Sequence, residues 1–126
     1  MNDHSLRILE FRRIVEQLKD QAACELGRWA VSGIHPASDI ESAQRRQKET
    51  SEAKSIFQNE GRIPLDGIRD IRPYIEKARL EAMLQPLELL DVCRTLSSAR
   101  RLRSFLTKLS EHYPLMSSIG GRIITF

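Results

Sequence analysis

With 126 residues, 40% of them apolar and 29% charged, the chain holds one domain's worth of sequence and can bury a core. No run approaches the roughly 20 apolar residues that cross a bilayer, no signal-peptide pattern opens the chain, and no metal-type spacing links Cys24 or Cys93 to each other or to His4, His35 and His112. The net charge of +3 is unevenly placed: residues 1–60 hold nine Lys/Arg against ten Asp/Glu, and residues 61–126 hold eleven against seven.

In chain order, Ser5 is expected to cap a short leading turn through Leu9. Phe11, Ile14, Val15, Leu18 and Ala22 then recur at three- and four-residue steps, which predicts an amphipathic helix over 10–22. A second helix is expected from about Cys24 to Ile34, stopped by Gly33 and Pro36, with Trp29 as a core or interface anchor. Ser38 and Glu41 form a capping box for a third, polar helix running to about Gln58. Its apolar stripe is thin: Ile40, Ala43, Gln47, Thr50, Ala53 and Phe57.

Residues 63–73, IPLDGIRDIRP, depart from helical periodicity and read as a joint. Gly67 permits a tight turn, Asp70 is placed to cap the next helix (about 71–83), and Pro73 falls in its first turn. Ile68 and Ile71 are expected to anchor the loop. Arg69 and Arg72 are expected to pair with acidic groups or helix-end carbonyls. The longest helix runs from Pro86 to about Ser110 along a seam of Leu89, Cys93, Leu96, Ala99, Leu102, Leu106 and Leu109. After His112-Tyr113-Pro114, residues 112–126 read as an unstructured or truncated tail, ending on an apolar Ile123-Ile124-Thr125-Phe126; docking on the core is the other reading. The whole is expected to be one all-α domain, cytoplasmic, with two reduced, buried thiols.

No phosphate-binding loop, zinc cluster or nucleophile–base pair is legible, so no catalytic, cofactor or metal residue is assigned. Arg94, Arg101 and Lys108, spaced by seven and flanked by Arg100 and Arg103, form a basic row. It is either a solvated face or a phosphate-backbone contact. No aromatic residues interleave with it, which argues against single-strand stacking.

Several short runs, in order, resemble one family: Leu9-Glu10-Phe11, Glu25-Leu26-Gly27-Arg28, His35-Pro36 with Asp39-Ile40, Glu49-Thr50-Ser51-Glu52-Ala53, LDGIRDIRP at 65–73, and Ala99-Arg100-Arg101-Leu102. Together they resemble the N-terminal region of the bacterial second MutS paralogue, the MutS-II family. Two departures stand out: Asp66 replaces a Gly before Gly67, and Gln85 replaces a capping Ser before Pro86. The resemblance implies a non-catalytic helical core-and-lever segment, cut from a longer homodimeric protein. That whole protein would use ATP and Mg, act as an endonuclease, and bind branched DNA or stalled ribosomes. Its motifs for ATP and nuclease chemistry would lie outside these residues. An autonomous nucleic-acid-binding module and a helix-mediated dimerisation module are the alternatives.

Overall fold

The computed structural model describes residues 2–125, which form seven α-helices and no strand. The first, α1 (Asp3–Ile8), is capped by Asn2, whose Oδ1 accepts the Ser5 N–H at 2.8 Å. Ser5 therefore sits inside the helix, and the expected Ser5 cap is replaced by a residue with extended backbone three positions earlier. Glu10, at φ 51°, turns the chain into α2 (Phe11–Asp20), which packs against α1 and α3 (Glu25–Ser32).

Asp39, not the Ser38–Glu41 box, caps α4 (Ile40–Asn59): its Oδ1 accepts the Ser42 N–H at 2.7 Å. The buried stripe of α4 also differs from the expected one. Ile56 is fully buried, with Ala43, Glu52 and Ala53 half-buried, whereas Ile40 and Phe57 are exposed. The reason lies in α7 (Pro114–Gly121), which packs on α4 and α6 (Pro86–Thr107) and selects which face of α4 is covered. Glu52 accepts the Met116 N–H at 2.8 Å and so satisfies a free donor in the first turn of α7. The tail expected over 112–126 thus holds a docked helix; Phe126 lies outside the described residues.

Ile56, Leu106 and Tyr113 form the core between these three helices, and Ile63, Leu102, Phe105, Leu109 and Met116 pack around it. Gly120 lets α7 approach α6, since a Cβ there would come within 2.6 Å of Leu106 Cβ. Asn59 Nδ2 donates to the Tyr113 hydroxyl at 3.3 Å, so the one core phenol keeps a partner.

The fifth helix, α5 (Arg72–Arg79), stops four residues before its expected end at 83. Leu80 leaves the helix and Glu81 adopts φ 57°, with Glu81 N–H bonded to Ala78 O and Ala82 N–H to Lys77 O. This pairing is the glycine-type helix stop, made here with a side chain in the left-handed region. Glu81→Gly should relieve that cost and stabilise the chain by about 1 kcal/mol. A thermal melt should move up by about 3–6 °C; an unchanged or lower midpoint would contradict the strain. At the start of α6, Glu88 accepts the Gln85 N–H at 2.7 Å and the Lys77 ammonium at 2.9 Å. Where Gln85 stands in place of a capping Ser, this carboxylate serves the helix start and also ties α5 to α6.

Candidate nucleic-acid interface

Between α4 and α5 the chain runs as an open loop, and two glycines shape it: Gly61 at φ 85° and Gly67 at φ 83°. The loop is fastened to α6 by two small polar side chains that point inward from an otherwise apolar phase of that helix. Thr95 and Ser98 are the buried polar residues of the described chain, at 8% and 1% exposure. Ser98 Oγ donates to Asp66 O at 2.6 Å, and Thr95 Oγ1 accepts the Arg69 N–H at 3.0 Å. Gly67 lies so close to α6 that a Cβ would meet Ser98 Oγ at 2.8 Å. Backbone groups of the loop, which has no helix or sheet ladder to satisfy them, find their partners in these two hydroxyls.

The far end of the loop is held by charge. Arg72 grips both oxygens of Asp70, at 2.8 and 2.7 Å, and its N–H also reaches Asp70 Oδ1 at 3.1 Å. Ile71, not Asp70, is the N-cap residue of α5, and Asp70 serves that end from one residue further out by accepting the first helical amide, while Arg72 has the expected acidic partner. The guanidinium lies 4.4 Å from the Trp29 ring centroid, so α3 is pinned to the joint by a cation–π contact. Trp29 is not a core anchor: it is 65% exposed. Arg69 enters the clamp through its backbone N–H, while Pro73 sits in the first turn of α5. Ile68 and Ile71 are half-buried.

These contacts set how the fold responds to pH. The Arg72 side chain holds the Asp70 carboxyl below its usual range, Lys77 and the Gln85 N–H do the same for Glu88, and the Ser42 backbone N–H does so for Asp39. Arg72 is raised in turn by Asp70. Burial, then the Asp91 carboxylate, raises the Tyr74 phenol. Depressed carboxyls add stability above their unfolded values and lose it as pH falls through the folded ones. A raised phenol costs stability once pH exceeds its unfolded value. Melting temperature should therefore be flat from about pH 5 to 9 and fall on either side. Glu88→Gln should flatten the acid limb; an unaltered limb would contradict the assignment.

The expected basic row divides in the structure. Arg94 and Arg101 line a depression beside Asp66 and Gly67, and Arg101 Nη2 donates to Ser98 Oγ at 3.0 Å. Arg103 is turned away and donates to Ile123 O at 2.6 Å, which holds the residues after α7. Arg100 is exposed and engaged within the chain. Lys108 is exposed just past the last turn of α6. The apolar seam divides too: Leu102, Leu106 and Leu109 serve the core, whereas Leu89, Cys93 and Leu96 are exposed. Cys24 is half-buried and Cys93 exposed, so the expectation of two buried thiols fails at Cys93.

The residues missed by sequence reading are Thr95 and Ser98. A signal was present: with Leu102 and Leu106 they step by three and four residues, the phase that α6 turns inward. Among the described residues no group of three His, Cys, Asp or Glu side chains could hold a metal ion. No helix among them is long and apolar enough to cross a membrane.

No protein-family profile matches the chain. Individual relatives do. It is 39% identical, over 98% of its length, to an endonuclease MutS2 of Alkaliphilus oremlandii. It is 39% identical over 100% of its length to that of Symbiobacterium thermophilum, and 35% identical over 100% to that of Clostridioides difficile. The chain spans 16% of the length of each of these relatives.

Proposed function

The chain belongs to the MutS2 family over the segment it spans, and from that premise we propose that it is the family's N-terminal, non-catalytic helical core-and-lever segment. In this reading it carries position, not chemistry: its helices link the remainder of a homodimeric, cytoplasmic ATPase and endonuclease that engages branched DNA or stalled ribosomes. ATP, Mg and the cutting site belong to other parts of that protein. The observation that supports the reading is the clamp. The loop that joins α4 to α5 is fixed to α6 by Ser98 and Thr95, with Gly67 pressed against Ser98, and to α3 by Arg72 on Trp29. In this reading the joint couples the end of α4 to α5 and α6.

The test places residues 1–126 in the Alkaliphilus oremlandii relative in exchange for its matching segment. The exchanged protein should keep nuclease activity. Thr95→Val together with Ser98→Ala should leave cutting of an unstructured substrate intact and abolish the difference between branched and linear DNA. Variants that still discriminate like the parent would overturn the lever role; an inactive exchange with an intact fold would overturn the interchangeability on which it rests.

A further inference from the structure

The basic row on α6 lacks aromatic neighbours in the sequence, yet the fold supplies one. Two depressions share the Asp66–Gly67 turn as part of their lining. Arg94 and Arg101 of α6 line one; Arg28 of α3, Arg62 and Arg69 of the loop, and Phe57 of α4 line the other. Phe57 is 67% exposed, with its ring left uncovered although it belongs to the helix that supplies the core residue Ile56. Five arginines thus line the two depressions. The facing carboxylates are Asp66, already engaged by Arg62 at 2.7 Å, and Glu25 at the rim. Among the described residues no hydrogen bond or ion pair engages the side chains of Arg69 or Arg94, and Arg101 is aimed by the buried Ser98. Gly67 brings the two walls together, because the loop can lie this close to α6 only without a Cβ.

We propose that this bent groove binds a single-stranded nucleic acid, with phosphates on the arginines and a base stacked on Phe57. Cationic walls that track a backbone, beside an aromatic face, are the two components that unspecific single-strand binding needs. The stiff, base-paired faces of a duplex offer Phe57 nothing to stack on. This goes beyond the lever role, since a lever needs no ligand of its own, and the two can fail separately.

The test is fluorescence anisotropy of the 126-residue chain with labelled 20-nucleotide single-stranded DNA, the same sequence as RNA, and the DNA duplex, at 50 and 200 mM salt. DNA and RNA strands should both bind, since the groove reads phosphate and stacking. Affinity should fall roughly 50- to 130-fold between the two salts, for about four to five phosphates at ~0.7 counterions each. Arg69→Gln, Arg94→Gln and Arg101→Gln together should lower the salt slope by about 2. Arg69→Gln alone, whose side chain holds nothing in the fold, should lower it by about 0.7 and guards against a triple variant that does not fold. Phe57→Ala should weaken single strands ~10-fold with an unchanged slope. Arg12→Gln with Arg13→Gln on α2 should leave both readings as they were. No binding at 50 mM salt, equal losses from the α2 variant, or a duplex that binds as tightly and ignores Phe57→Ala would each overturn the proposal.

Discussion

Replacing Ile56 by alanine should cost about 3–4 kcal/mol and leave a large part of the chain unfolded at room temperature. Ile56 is fully buried and meets Leu106 and Tyr113, the other two members of the apolar core, where α4, α6 and α7 come together. A loss of three methylene-sized groups there opens a cavity that three helices must close at once, and a core this small leaves little stability in reserve. The same change at Ile40, 74% exposed on the same helix, should cost less than about 0.5 kcal/mol. Urea unfolding followed by circular dichroism compares the two. Equal midpoints for the Ile56 and Ile40 variants would show that the core is not where the structure puts it.

The second large effect is expected at Gly67. Alanine there must adopt φ 83° and place its Cβ 2.8 Å from Ser98 Oγ, the hydroxyl that donates to Asp66 O. Left-handed strain and the clash with Ser98 together should cost about 2–4 kcal/mol. The two contributions separate in a double variant. Adding Ser98→Ala removes the clash and should recover part of the loss, while the strain remains. If Gly67→Ala alone is as stable as the parent, the loop does not hold the geometry described. A further loss in the double variant beyond the sum of the singles would show that contact between the two residues is not the cause.

What could be read from the sequence was what local chemistry decides. The helices on 11–20, 25–32 and 40–59, the long helix from Pro86, and Asp70 serving the start of α5 all follow from periodicity, proline and capping groups. What could not be read depended on contacts between distant residues. The covered face of α4 is chosen by α7, so Ile56 rather than Phe57 is buried. The helix at 114–121 needs Glu52, some sixty residues earlier, to satisfy its first turn, and its two glycines read locally as a loose tail. Thr95 and Ser98 look like breaks in a leucine seam until the loop that they hold is in place. At the candidate groove the arginines were legible as a row on α6, but Phe57, Arg28 and Arg69 join Arg94 and Arg101 only through the fold. Arg103 left that group because its partner, Ile123 O, lies twenty residues on.

Whether the loop is a fixed joint is most directly read from hydrogen exchange at one backbone site, the Arg69 amide. It lies in a loop but is bonded to the buried Thr95 hydroxyl. This amide should exchange as slowly as those in the interior of α6, and Thr95→Val, which keeps the volume and removes the acceptor, should release it while the α6 amides stay protected. An Arg69 amide that exchanges at the rate of an open loop in the parent chain would contradict the joint.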